Sequence, residues 1–518
     1  MNGEYDVVVV GFGPSGAVAA ALLGQAGVRT LVVDRSIDVY PKPRAIALDH
    51  EIMRVFQNLG LADAVSPHCE PFTPSEYYGV DGRLIKRLAT VEPPYPLGHT
   101  PSMVFTQPPV EAALRRHVQA LPAVDVVLGR RFTGVEQDAI GATVHFDEGS
   151  VRARYVIGCD GASSSVRDAI GIRLEDLEFD EPWLVVDVQV NERGLAKLPS
   201  TSVQYCEPAR PCTYVIGPGN HRRWEISLLP GEDPAYMATE EGAWSVLQRW
   251  IGPDDATLWR QASYRFHALV AREWRAGRVF IAGDAAHQQP PFLGQGMCQG
   301  IRDVVNLAWK LRAVLGGDAP DSLLDTYTVE RREHVRRLTT RIKEIGAVIC
   351  ERDPVRAQAR DAALIDAAGG TIRTVPRQDI IPPLMEGLLA SGGYIGSGTG
   401  TLFPQPRVNG PAGPALLDEL AGTGWRIVTD LRTAQLPPGL LALAERVGML
   451  ISIPSDTAGF SSGPHRMQAD ELDGVLARWF ARHGCHAAVV RPDHYVYGVA
   501  SDGAGLYDLV AGLTNTLQ

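Results

Sequence analysis

Residues 5–34 read YDVVVVGFGPSGAVAAALLGQAGVRTLVVD, and this stretch decides the fold. Tyr5–Val10 is a short β-branched run without alternation, the pattern of a strand buried on both faces. Gly11, Gly13 and Gly16 follow in GxGxxG spacing and open the helical run AVAAALLGQAG. A second strand-like run, TLVVD, ends at Asp34. In such a unit Gly11 permits the tight turn. Gly13 lets the backbone approach a pyrophosphate, and Gly16 allows close helix–strand packing. The helix start around Ser15 offers free amides and partial positive charge to phosphates. Asp34 stands about where an acid receives ribose hydroxyls, with Arg35 directly after it. The full strand–glycine–helix–strand–acid order predicts a Rossmann-like dinucleotide site. An acid rather than a base at position 34 favours a free ribose, as in FAD or NAD.

Two further motifs lie downstream. Tyr155-Val-Ile-Gly-Cys-Asp160-Gly161 is a strand running into a polar turn. Arg278-Val-Phe-Ile-Ala-Gly283-Asp284 is another strand, ending in Gly-Asp. After it come Pro290-Pro291-Phe-Leu-Gly294-Gln-Gly296-Met297-Cys298 and a helix running through Asn306 and Trp309 to Leu315. Taken singly, Asp160 also reads as a turn or helix-capping acid and Asp284 as a helix N-cap.

In this order the three motifs closely resemble the class A flavoprotein monooxygenases, the aromatic-ring hydroxylases. The resemblance implies tightly held, non-covalent FAD. A second complete GxGxxG is missing, so NADH or NADPH is expected as a transient co-substrate in a groove. Asp284 would hold the ribitol chain. The run Pro291, Gly294, Gly296 and Met297 would bring backbone amides to the pyrimidine end of the flavin, where a helix N-terminus stabilises the negative charge of the reduced ring. Asp160 and Gly161 would shape the region between FAD and the nicotinamide. Arg44, in Pro43-Arg44-Ala45-Ile46, would lie near the pyrophosphate, and Gln107 near the flavin. FAD would carry the oxygen chemistry through a flavin hydroperoxide, while the protein excludes water and stabilises a phenolate-like substrate.

Residues 75–105 and 183–270 contain alternating runs such as WLVVDVQV, TYVIG and RRWEISLL, which predict antiparallel strands with one face buried. By resemblance this sheet roofs the substrate pocket and carries Tyr205, Arg222 and Arg223. Phrases including Trp183-Leu-Val-Val-Asp187, Arg222-Arg223-Trp224-Glu225 and Leu324-Asp-Thr-Tyr327 resemble the branch of 3-(3-hydroxyphenyl)propionate hydroxylases. That branch implies a phenolic acid, O2 and NAD(P)H as partners, with a catechol as product. Arg222 or Arg223 could pair a substrate carboxylate, or simply form a salt-bridged sheet face. Ile46 is apolar where several phenol hydroxylases place a polar group, so no substrate base is assigned there. His50 is a weak candidate beside its reading as a solvated helix histidine. Cys298 stands where the family commonly has asparagine. The alternatives are a hydroxylase of a polyketide or other fused phenol and, from another class, a non-catalytic carrier of the same fold.

The expected organisation is an α/β FAD-binding domain over 1–74, 106–182 and 271–390, with an interleaved substrate sheet over 75–105 and 183–270. Residues 318–345 read as a charged, solvated packing helix, and the Gly-rich 391–406 as a linker. The family places a thioredoxin-like domain at 400–518. That segment contains only Cys485 and no CxxC, so packing or homodimerisation is expected of it rather than redox work. The 518 residues carry a net charge of −11, which argues against a non-specific nucleic-acid binder. No apolar run is long enough to span a bilayer, and the acidic start MNGEYD does not read as a signal peptide, so the cytoplasm is the default location. Seven scattered cysteines argue against a disulfide framework, and no metal motif is present.

Overall fold

The computed structural model describes residues 4–390, 397–454 and 459–517. Strand Glu4–Val10 lies between two parallel partners, Ser150–Gly158 and Thr30–Asp34. With both faces covered it needs apolar side chains throughout, and Val7, Val8 and Val9 are fully buried. The eight-stranded sheet extends to Val124–Leu128 on one side and to Val279–Ile281 and Arg275–Ala276 on the other. A hairpin of Phe132–Gln137 and Ala142–Phe146 joins along Ser150–Gly158. The helices Pro14–Gln25 and Gly296–Gly316 pack on this sheet in one continuous core.

The second sheet has nine strands. Its centre runs Ala256–Ala271, Leu174–Val190, His221–Ser227, Cys212–Ile216 and Ser202–Tyr205, all antiparallel neighbours. Ser75–Tyr78 then pairs in parallel with Ser202–Tyr205. Alternation separates the two faces. Leu184, Val186, Val203, Tyr214, Trp224 and Ile226 form an apolar outer layer with Met237, Ala243 and Leu247. Of the residues between them, Arg223 reaches the Arg44 carbonyl and Val215 packs with Ile46, Ala47, Phe72 and Val104.

This sheet takes more chain than 75–105 and 183–270. Its longest strand begins at Leu174, ahead of Trp183, because it pairs with Ala256–Ala271 beyond an irregularity between Asp176 and Asp180. Arg373–Pro376 adds an edge strand parallel to Leu84–Ala89. Ser102–Phe105 leaves it for a three-stranded sheet with Ala47–Asp49 and Cys69–Pro71. The helix expected over 318–345 spans Thr326–Cys350, after a 3-10 turn at Asp321–Asp325. It is not a solvated helix, since Glu330, Arg331 and His334 are buried. The expected linker falls partly, at 391–396, outside the described residues.

The C-terminal unit is a six-stranded sheet in the order Ser461–Gly463, Arg466–Gln468, Met449–Ser452, Arg426–Thr429, Ala487–Val490 and Val496–Ala500. Buried ion pairs fasten it to the rest of the chain. Asp418 accepts Arg54 Nε at 2.7 Å and Nη2 at 2.9 Å, and Arg426 Nη1 at 2.5 Å. Glu330 accepts Arg491 Nη2 at 2.6 Å and Lys310 Nζ at 2.7 Å. Asp493 completes the second cluster through Arg491, Asn306 and Trp309. The neighbouring cations hold the carboxyls of Asp418 and Glu330 far below the usual range, against the opposing effect of burial. Removing one partner strands the others in an apolar interior. Asp418→Ala is therefore expected to cost about 3–5 kcal/mol in denaturant unfolding. Both carboxyl pKa values are depressed in the fold. Their stabilisation is complete above the unfolded-state value of about 4 and is lost as pH falls below it. A thermal midpoint that stays flat from pH 6 down to 3 would contradict this.

Candidate functional site

The glycine turn after the first strand is set by backbone contact. Gly11 has φ +103°, and a Cβ there would lie 2.3 Å from the Cys159 carbonyl oxygen. A Cβ on Gly16 would lie 1.9 Å from the carbonyl oxygen of Gly11. Gly13 differs, because a Cβ there would meet nothing within 4 Å. The turn thus opens onto free space at that point. Among the described residues no side chain caps the helix Pro14–Gln25, so its leading amides face outward without a side-chain acceptor. Asp34 closes the far end: one carboxylate oxygen accepts the Phe12 amide at 2.6 Å and the other the Ser36 amide at 2.7 Å. Each oxygen keeps a lone pair for a hydroxyl. Arg35 is exposed.

The opposite wall comes from the Gly283-Asp284 turn and the helix Gly296–Gly316. Ser15 fills the gap between them, since a Cβ on Gly283 or Gly300 would meet its Oγ at 2.8 or 2.4 Å. Asp303 holds the turn from behind. Its carboxylate accepts the Gly283 amide at 3.0 Å and Arg331 Nε at 3.0 Å, and pairs with His287 Nε2 at 2.7 Å. Asp284 keeps its carboxyl open to solvent at the floor of a cleft. Protein atoms surround it closely enough for desolvation to raise its pKa, while His287 and Arg44 pull the other way. The helix Gly296–Gly316 also starts without a side-chain cap, and Gly296 faces open space. Gly294, at φ +64°, presses against Ala47, where a Cβ would come within 2.7 Å of the alanine methyl. Pro291 and Met297 are half-buried beside it. Cys298 is fully buried, and burial pushes its thiol pKa up, so it acts as packing.

Arg44 is held by its backbone. Gln107 Oε1 accepts the amides of Arg44 at 3.1 Å and Ala45 at 2.6 Å. From the other side, Arg223 Nη1 donates to the Arg44 carbonyl at 2.8 Å and Arg260 Nη1 to the Pro43 carbonyl at 2.9 Å. The Arg44 side chain stays 51% exposed, 3.8 Å from Glu111. Gln107 therefore serves by shaping the Arg44 segment. Asp160 takes its capping role: Oδ1 accepts Ser164 Oγ at 2.5 Å and Oδ2 the Val166 amide at 3.1 Å. Gly161, at φ +86°, opens onto free space beside it.

Four substrate-side candidates lie elsewhere. Tyr205 is on the outer face of the sheet, where its hydroxyl accepts Trp250 Nε1 at 3.2 Å. Arg222 staples its own turn through the carbonyls of His221 and Gly219. Arg223 faces inward but is spent on Asp187, at 2.7 and 3.1 Å, and on the Arg44 carbonyl. His50 is buried rather than solvated, and desolvation brings its pKa down to about 4. It starts a helix whose first turn is covered by the pairing of Arg302 with Asp49 and Glu51.

The structure adds two inward-facing groups. Arg377 lies over the Phe72 ring at 4.2 Å and donates to Ser75 Oγ at 3.2 Å and the Leu293 carbonyl at 3.1 Å. Among the described residues no carboxylate comes within ion-pair distance of it. Glu225 faces the same side as Arg223. Strand parity alone marks Glu225, because the apolar partners Trp224 and Ile226 fix which way it points. No local signal marks Arg377.

A family model described as an FAD binding domain matches residues 4–342, and one described as the HcaD C-terminal domain matches residues 400–514. A probable NADH-specific resorcinol 4-hydroxylase of Rhodococcus jostii (strain RHA1) is 39% identical over 99% of this chain and 94% of its own. A 3-(3-hydroxy-phenyl)propionate/3-hydroxycinnamic acid hydroxylase of Mycobacterium sp. (strain JLS) is 33% identical over 96% and 89%. Among solved structures, the flavin-dependent monooxygenase PieE superposes with a TM-score of 0.79 at 22% identity, covering 99% of this chain and 100% of that one. Aklavinone-11 hydroxylase gives 0.79 at 21%, covering 100% and 99%. The open space at Gly13 and Gly296, the two uncapped helix starts and the free carboxyl of Asp284 fit a dinucleotide flavin. The chain belongs to the FAD-binding family, among the class A flavoprotein aromatic hydroxylases.

Proposed function

We propose that the protein hydroxylates a small phenol bearing a second substituent in the meta position, using FAD, NADH and O2. Resorcinol and 3-(3-hydroxyphenyl)propionate both fit this description, and they are the substrates in the relatives' names. The observation that carries the reading is a dinucleotide cleft roofed by a sheet whose inward face is polar at Gln204, Thr213 and Glu225. FAD supplies the redox and oxygen-activating chemistry when bound. In our reading the Gly13 turn and the start of the helix Pro14–Gln25 hold its pyrophosphate, Asp34 its ribose and Asp284 its ribitol. Arg44 and Asp160 lie at the reductant side. The start of the helix Gly296–Gly316 faces the flavin ring and favours negative charge there. Trp183, Phe292 and Leu293, all buried, keep water from the reacting carbon. Arg377, rather than Arg222 or Arg223, meets the anionic group of the substrate. The C-terminal sheet is read as thioredoxin-like without its cysteine pair and serves packing. A soluble cytoplasmic protein is consistent with the lack, among the described residues, of any helix long and apolar enough to cross a membrane.

NADH-dependent oxygen uptake by the FAD-loaded protein tests the reading. Each of the two phenols is expected to stimulate uptake and to yield a product with one added hydroxyl. Uptake that yields hydrogen peroxide alone would show the phenol to be an effector and sink the assignment. Gly13→Ala is expected to fold like wild type, because its methyl meets no protein atom, yet to hold FAD at least about tenfold more weakly, a difference of about 1.4 kcal/mol. Equilibrium dialysis measures this directly. Arg377→Leu is expected to raise KM for the phenolic acid about 10- to 100-fold, the worth of a charged hydrogen bond. An unchanged KM would remove Arg377 from substrate recognition.

A further inference from the structure

Five strands carry one inward-facing row across the substrate sheet. Tyr77 is paired with Gln204, Gln204 with Thr213, Thr213 with Glu225 and Glu225 with Val185. Thr213 Oγ1 donates to Gln204 Oε1 at 2.6 Å. Two residues beyond Thr213, Val215 packs with Ile46, Ala47, Phe72 and Val104. Ala47 in turn touches Gly294, at the start of the turn that leads into the helix Gly296–Gly316. The row therefore lies on the wall next to the flavin-facing helix start.

Glu225 is 5% exposed, and among the described residues no donor forms a hydrogen bond to its carboxylate. The neighbouring acid has taken the available cations. Asp187 binds Arg223 twice and His221 once, with Arg260 3.6 Å away. Arg223 and Arg260 give further donors to the carbonyls of Arg44 and Pro43. A carboxylate this enclosed and without a protein donor is costly to ionise. The charged and titratable groups around it are Arg223 on its own strand, Asp187 and Cys212 on the two adjacent strands, and Arg260 on the strand beyond Asp187. Desolvation, the largest influence, lifts its pKa up to about 7, with Asp187 adding to the rise. That value suits a base working near neutrality.

We propose that Glu225 is the base that takes the phenolic proton of the substrate. The inference rests on the aromatic-hydroxylase reading above. The phenol O–H bond breaks, the proton bonds to a carboxylate oxygen of Glu225, and the electron pair stays on the phenol oxygen. From there it conjugates into the ring and makes the carbons ortho and para to it more nucleophilic. Nothing is oxidised or reduced in this step.

The test compares FAD-loaded wild type, Glu225→Gln and Glu225→Asp on resorcinol and on 4-nitroresorcinol at a pH where the nitro compound is already ionised. For Glu225→Gln, kcat/KM on resorcinol is expected to fall at least about 100-fold relative to wild type. On the ionised nitroresorcinol the same ratio should recover to within about tenfold. The acid limb of the wild-type kcat profile should vanish in Glu225→Gln and return at a displaced pH and reduced height in Glu225→Asp, whose carboxylate sits one methylene further back. An equal loss on both phenols overturns the role of Glu225. Failure of wild type itself to hydroxylate either phenol overturns the functional reading instead. If Glu225→Gln does not fold, Glu225→Asp decides: a pH limb identical to wild type in position and size excludes Glu225.

Discussion

Ser15 stands where three backbones nearly touch. Its hydroxyl occupies the space that side chains on Gly283 and Gly300 would need. This contact brings the first helix, the Gly283-Asp284 turn and the helix Gly296–Gly316 to one point, although they are far apart in sequence. Both helix starts then open on the same cleft, and their dipoles reinforce each other there. Asp284 projects into the space between them because Asp303 holds its turn from behind. A bulkier residue at either glycine would part the two helices and divide the cleft in two.

One short segment ties the substrate sheet to this cleft at both of its faces. Pro43 and Arg44 are gripped at their carbonyls by Arg223 and Arg260, and at the Arg44 and Ala45 amides by Gln107. Asp187 sets the two arginines from within the sheet. The strongest charges of the sheet are thus committed to architecture, and the groups left for a ligand are those without ionic partners. This division explains why Arg222 and Arg223, attractive as cations, are poor receptors here. A guanidinium already satisfied by a buried carboxylate has little to offer an incoming anion.

The cofactor half was legible in sequence because its logic is local. GxGxxG, a strand before it and an acid after it are read from thirty residues, and Gly11, Gly16 and Asp34 take the positions that logic assigns. The substrate half depends on pairings the sequence does not print. The expected strands were read correctly as alternating, but which face looks inward is set by the outer layer of Trp224, Ile226 and Leu184. Tyr205 points to the outer face for that reason. Arg377 directly follows the edge strand Arg373–Pro376, 302 residues after Ser75, and the pairing of that strand with Leu84–Ala89 brings the two together. The charged helix 326–350 looked solvated because its partners, Arg491 among them, are remote in sequence.

The buried ionic clusters also bear on how the chain is made. Arg54 leaves the ribosome well before Asp418, its counter-ion, and Glu330, paired meanwhile only with Lys310, well before Arg491. Domains tend to fold as they emerge, amino-terminal first, at roughly 5–20 residues per second. For many seconds the nascent cofactor half thus holds interior charges whose complements do not yet exist. Those sites stay hydrated and their surroundings unsealed until the last hundred residues arrive. Synthesis of the carboxy-terminal sheet is then the step that closes the interior, and a polypeptide released early would carry wet, polar seams on an otherwise formed surface.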